Sequence, residues 1–370
     1  MSLTTDPTTE TVVATPGPEA PPSVEPSRTT ARATRIAIGL GRVALAVLGT
    51  LVVFGIVVWI KGANPFDTYE ALFNSIFNDP NAPTEIALRA TPLVLAGLAV
   101  AVPARAGLVN VGGEGQLLIG GVVGAGVARM IGPSFPGVPG LVLILVGGAI
   151  GGALWAALSV GLRLFSGISE SVTTLLLNYV ALDLMLFLIY DPWKDPNGSG
   201  QPASPPIPAS QQLGLIGDSR LHFGVLIALA SVIVIAVVLK RTSWGFALRV
   251  VGGNPEAARR AGLRVGPLLI SAMFVGGALA GLAGAIQLAG VEYKLRPLFL
   301  FGFGYVGFLA SWLGRHQPWR VAAAAVLLSA LVIGGDSLQI DSGLPAATVN
   351  VLMAILLLAV FGFTGRKKAV

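Results

Sequence analysis

The chain has 370 residues, of which 54% are hydrophobic and only 11% charged, with a formal net charge of +6. Soluble chains are about a quarter charged, so this composition argues against a soluble enzyme and for lipid-facing helices, which need almost no charge. There is no cysteine and only two histidines, His222 and His316, which excludes a disulfide scaffold, a thiolate metal site and a cysteine nucleophile and leaves little for a metalloenzyme.

Residues 1–35 hold six prolines and nine threonines and almost no large apolar residue. They cannot bury a core and read as a disordered cytoplasmic tail, too long and too acidic for the basic start of a signal peptide. Residues 36–370 read as one transmembrane domain. Apolar runs fall near 36–60, 87–105, 113–130, 139–163, 171–190, 221–240, 267–289, 301–314, 320–335 and 345–365. The longest match the ~20 residues that cross a hydrocarbon core. The fold class is therefore all-α: a polytopic membrane helical bundle of about ten transmembrane helices, some broken or re-entrant. The run 301–314 is short and glycine-rich, the mark of a half-helix.

With the N-terminus in the cytoplasm, 17 of the 24 basic residues fall on the inner side and 7 outside, as the positive-inside rule requires. Both termini are expected to be cytoplasmic, in a multi-pass protein of the cytoplasmic (plasma) membrane. The positions of the basic residues thus speak for membrane orientation and against nucleic acid as a partner. Residues 191–220, rich in Pro, Ser and Gly, lie outside on this map, and the basic loop 241–266 lies inside.

Three stretches carry polar chemistry. Gly107 to Gln116 (GLVNVGGEGQ) has four glycines in its first nine residues and places Asn110, Glu114 and Gln116 between two apolar runs. Irregular backbone at membrane depth survives only when buried in protein or facing a watery cavity. The stretch is either a tight turn with Glu114 at a helix N-terminus or a place of solute contact. Glu170, Thr174 and Asn178 follow at i, i+4 and i+8, one stripe of a helix that serves either as interhelical glue or as a cavity wall. Gln287 and Glu292 are weaker candidates of the same kind, and Asp183 lies off the stripe. The third stretch, Asn254 to Gly262 (NPEAARRAG), is a short helix with its own punctuation. Asn254 is a good N-cap and Pro255 suits the first position. Glu256 complements the positive end, Arg259 and Arg260 the negative end, and Gly262 fits the left-handed stop. Two exposed turns are marginal alone, so a cytoplasmic partner is expected to pack on them. Ala257, Ala258 and Ala261 are read as a small-residue face for that contact, with Arg249 in the same basic loop.

No phosphate-binding G-x-x-x-x-G-K-[ST] and no H-E-x-x-H occurs, so no catalytic residue, metal or cofactor is expected and any ATP must be hydrolysed elsewhere. Gly302-x-Gly304-x-x-Gly307 lies in a membrane run and follows no strand, so it is not read as a dinucleotide site. Gly120–Gly124, Gly148–Gly152 and Gly277–Gly281 are small-xxx-small spacings for helix packing.

These residues resemble a known family. Asn254 to Gly262 looks like the cytoplasmic coupling segment of ABC importer permeases of the branched-chain amino acid and simple sugar type. Gly107 to Gln116 resembles the GLxNxGxEGQ signature of the nucleoside-like branch. Glu170 to Tyr179 and Gly304 to Arg315 resemble two further segments of it, with Trp312 where a small or aliphatic residue is usual. The resemblance spans roughly residues 85–365. It implies a non-enzymatic permease subunit that pairs with a second, related permease, binds two cytoplasmic ATP-binding subunits through the coupling loop, and receives a nucleoside or related polar solute from an extracellular substrate-binding lipoprotein. Alternatives are a permease for simple sugars or branched-chain amino acids in the same family, or an ion-coupled secondary transporter using Glu114 or Asp183.

Overall fold

A computed structural model describes residues 28–198, 200–341 and 347–364. The expected tail up to residue 27 and the basic residues Arg366, Lys367 and Lys368 lie outside the described residues. In chain order the helices are α1 (Arg28–Ile60), α2 (Pro65–Phe77), α3 (Ala82–Ala104), α4 (Gly113–Ile131), α5 (Gly137–Ser166), α6 (Glu170–Tyr190), α7 (Gly224–Arg241), α8 (Ser243–Gly253), α9 (Pro255–Arg260), α10 (Val265–Gln287), α11 (Phe303–Leu313), α12 (Pro318–Asp341) and α13 (Ala347–Thr364). There is no β-strand among the described residues, only an isolated bridge between Leu215 and His222. The fold is the expected all-α bundle.

Six described helices are long and apolar enough to cross a membrane: α3, α5, α6, α7, α10 with its continuation to Glu292, and α12. The bent pair α1–α2, with 116° between its halves, makes a seventh if counted as one span. The ten crossings expected from the sequence are not shown. α4 is rich in glycine and carries Glu114, Gln116 and Arg129, so its apolar signal is diluted. α11 has 11 residues and reaches only about 16 Å, the half-helix that the sequence pattern indicated. The side chains at the start of α1 and along part of α13 lie outside the described residues.

α3 and α10 form the centre: 83% and 67% of their apolar windows are buried, against 28–33% for α5, α6 and α7. A helix buried all round needs no polar face, and α3 reads Ala and Leu on every side. α10 packs on α5, α3 and α4, and α11 and α12 pack on α3. Glycines set the distances. Gly148 and Gly152 of α5 lie against Gly277 and Gly281 of α10, and Gly120 of α4 lies against Gly281. A Cβ at these positions would strike backbone, so the small-xxx-small spacings bring the helix axes together.

α2 was not foreseen; its residues fall between the first two apolar runs, 36–60 and 87–105. The cue was present, since Asn64 caps it by accepting from the Phe66 N–H at 3.0 Å and Pro65 takes the first position, the same start signal as Asn254-Pro255.

Candidate functional site

The chain between α3 and α4 turns back into the bundle. The Asn110 side chain donates to the Ala99 carbonyl at 3.1 Å, five residues before the end of α3, so α4 starts well inside the protein rather than at its edge. Eight residues of irregular backbone, 105–112, connect the two helices, and Ala106, Leu108, Asn110 and Gly112 among them are buried, so the polar groups enclosed there need partners.

The predicted polar residues supply those partners. Asn110 Oδ1 accepts from the Gly112 N–H at 3.1 Å and from Gln116 Nε2 at 2.9 Å, while Asn110 Nδ2 donates to Gln116 Oε1 at 3.0 Å. Glu170 Oε1 accepts from the Val109 N–H at 3.1 Å, and its other oxygen is paired with Arg163. Thr174 Oγ1 accepts from the Val111 N–H at 3.3 Å and donates to the Glu170 carbonyl at 2.7 Å. Asn178 Oδ1 accepts from the Gly115 N–H at 2.8 Å, and its amide donates to the Val111 carbonyl at 3.1 Å. The stripe on α6 is therefore a rail that takes up backbone groups of residues 109–115 one after another.

Glu114 does something different. Its two oxygens accept from the Gly302 N–H at 2.6 Å and the Gly304 N–H at 2.7 Å, the free donors at the start of α11. A carboxylate is the natural occupant of a helix N-terminus, and this one arrives from another helix. Gly304 is required for the approach, because a Cβ there would collide with the Glu114 backbone. Two helix N-termini, those of α4 and α11, thus meet in the middle of the bundle.

Asn110, Glu114, Gln116, Glu170, Thr174 and Asn178 are all buried and lie in this one knot. Among the described residues no hydrogen bond links Gln287 to the knot; it is buried at the end of α10. Tyr305 was missed as a site residue: its hydroxyl is 3.4 Å from Asn178 Nδ2, and its place in the Gly304-Tyr305 motif was the available signal. Arg163, seven residues before Glu170 across the turn at Gly167, was likewise unforeseen as its partner. A small cavity of about 50 Å³ borders the knot, lined by Glu114, Asn178, Tyr179, Phe299, Phe301 and Tyr305. Ligand pockets are roughly 300–1,000 Å³, so the cavity is closed to a solute in this state.

The candidate helix at residues 254–262 has the expected caps. Asn254 Oδ1 accepts from the Glu256 and Ala257 N–H groups, each at 3.0 Å. Glu256 pairs with Arg259 at 3.1 Å and Arg260 at 3.2 Å, and Gly262 takes a φ of +83°. One reading is corrected. Ala258 is wholly buried against the chain's own core, whereas Ala257 and Ala261 are exposed. A helix residue one position on is turned by ~100°, so the three alanines do not share an outward face. Arg249 is exposed on α8 and donates to the Gly245 carbonyl at 3.3 Å.

α8 touches the knot's own connection. A Cβ at Gly252 would strike the Arg105 carbonyl, and Gly107, at φ +78°, faces Gly252. Arg105 also donates to the His316 carbonyl, at 3.0 Å, beyond the far end of α11. The turn at 105–107 therefore joins the α8–α9 loop, the knot and α11.

Residues 82–361 match the family described as the branched-chain amino acid transport system permease component. The glucose ABC transporter permease protein TsgB13 of Haloferax volcanii is 34% identical over 333 residues, 87% of each chain. The guanosine ABC transporter permease protein NupP of Bacillus subtilis is 33% identical over 85% of this chain and 91% of its own. The nucleoside ABC transporter permease protein NupB of Lactococcus lactis is 31% identical, covering 83% and 87% respectively.

Proposed function

The chain belongs to the branched-chain amino acid transport system permease component family, the multi-pass membrane permeases of ABC importers, and from that premise we propose that the solute it passes is a nucleoside. The observation that carries this reading is the knot itself. Its two halves, residues 107–116 and 170–179, are the stretches that resemble the nucleoside-type branch, and two of the relatives above are named for guanosine and nucleosides.

Glu114, Asn178 and Tyr305 border the cavity and are the residues that would touch a passing solute. Asn110, Gln116, Glu170 and Thr174 hold the frame around them, and Gln287 stands apart. Carboxylate, amide and phenol together offer both acceptors and donors, which suits the edges of a base or a ribose. A simple sugar is the second reading, favoured by the identity with the glucose permease. Uptake of labelled guanosine by cells expressing the transporter decides between them. Excess adenosine should compete and excess glucose should not; the reverse result makes the chain a sugar permease.

Residues 36–370 act in this proposal as one permease unit behind a cytoplasmic tail, with both termini inside. The 17-to-7 division of basic residues supports that orientation. A second, related permease would cover part of the apolar surface on α5, α6 and α7. Two ATP-binding subunits would dock on α9, and a lipid-anchored receptor would deliver the solute to the opposite end. The chain has no phosphate loop of its own, so the energy for transport enters through α8 and α9.

A further inference from the structure

At the end of the bundle opposite α8 and α9, the connection from α6 to α7 folds over the segment between α10 and α11. The two are laced by backbone. Ile207 N–H donates to the Tyr293 carbonyl at 2.8 Å, and Ser204 N–H to the Leu295 carbonyl at 3.0 Å. Ser204 Oγ in return accepts from the Leu295 N–H at 2.9 Å. α10 ends there in a π-helical turn, Leu288–Glu292, a feature frequent at functional sites. Between the laced segments is a cavity of about 550 Å³, inside the range of roughly 300–1,000 Å³ for small-molecule pockets.

Its wall carries Asp195 and Glu292 against Lys294 and Arg296, with Gln201 and Tyr190 beside them. Glu292 and Arg296 are paired with each other, and the charges of Asp195 and Lys294 cancel, so the wall carries no net charge and favours a neutral polar solute over an ion. Pro297 borders both this cavity and the small one at the knot. Beyond Pro297 the chain runs through Phe299, packed on Gly121, Leu300 at φ +54° and Gly302 at φ +86°, whose N–H Glu114 holds. Pro297 is thus the residue the two cavities share, and Phe299 and Phe301 just beyond it form part of the wall of the inner one.

We propose that this outer cavity is a binding site of the permease itself, where an uncharged nucleoside waits on the outer side of Pro297 before it reaches Glu114 and Asn178. The proposal rests on the nucleoside reading and on the orientation that puts residues 191–220 outside. The chain contains no cysteine, so single cysteines report on it cleanly. Gln201→Cys lies in the cavity, and Asp218→Cys lies exposed on the same connection outside it.

Right-side-out vesicles carrying the full chain, from cells that lack the receptor, are treated with an impermeant maleimide. Both positions should label. Adenosine should slow labelling at Gln201→Cys by the factor 1 + [L]/Kd, about threefold at twice its Kd, and leave Asp218→Cys unchanged. Leucine should protect neither. No protection by adenosine, in a transporter whose guanosine uptake adenosine inhibits, overturns the site and leaves the nucleoside reading standing. Failure of adenosine to inhibit uptake overturns that reading itself. Protection that appears only when the receptor is restored makes this a protein-docking face and also overturns the site, as does absence of labelling at both positions.

Discussion

Glu114 shows how a single side chain can serve two helices. It stands in the first turn of α4 and accepts from two N–H groups of α11. Truncation leaves both donors buried without an acceptor, at roughly 1–3 kcal/mol each. Glu114→Ala should therefore lower the thermal midpoint in detergent by several degrees and abolish uptake, whereas Glu114→Gln, which keeps one acceptor oxygen, should lose less of both. Equal losses in the two variants would show that charge rather than hydrogen bonding holds α11. His316 is the second residue with a readable consequence. It lies between α11 and α12, with its Nδ1 3.0 Å from Ser311 Oγ. Burial, and then the positive charge of Arg105, hold its pKa below the usual histidine value. The folded protein therefore binds fewer protons here than the unfolded chain, and stability rises with pH. The contribution is complete above the unfolded pKa of about 6.5 and is lost as pH falls below it. Melting curves between about pH 8 and pH 5 should show a falling midpoint, and His316→Asn should remove part of that slope.

At the scale of elements, α9 is a rigid six-residue piece with one face in and one face out. Ala257 and Ala261 are its outward small residues and Ala258 its inward one. Ala257→Trp should leave the permease folded and release or uncouple the ATP-binding subunit, seen as lost co-purification or lost solute-stimulated hydrolysis. Ala258→Trp overpacks the core by about 1–3 kcal/mol and should instead lower the melting temperature of the permease alone. A folded Ala257→Trp variant with normal assembly and normal stimulation would remove α9 from energy coupling. The neighbouring contact of Gly252 with the Arg105 turn gives a movement of α8 a direct physical route to the start of the knot.

For the whole molecule, the long connection 191–223 and the α8–α9 loop sit at opposite ends of α7, whose 18 residues span about 27 Å. One loop must therefore face out if the other faces in. Pro205→Cys should label with an impermeant reagent in intact cells, and Ala257→Cys only after permeabilisation. The opposite pattern would invert the permease and put the proposed outer cavity on the cytoplasmic side.

Composition and periodicity alone were enough for an all-helical membrane bundle, because crossing lipid demands long apolar runs that nothing else in a sequence imitates. Local signals were enough for α9 as well, since Asn254, Pro255, Glu256 and Gly262 act on backbone groups within a few residues of themselves. The polar residues of the knot were legible as candidates for the same reason: amides and carboxylates are costly among apolar spans and stand out there. Their roles were not legible. That the stripe on α6 hydrogen-bonds residues 109–115, that Glu114 reaches across 188 positions to Gly302, and that Ala258 turns inward all depend on which helices touch. Close approaches at single glycines, such as Gly304 on Glu114 and Gly252 on Arg105, are part of that pairing, and a pairing of distant surfaces leaves no periodic trace in the chain.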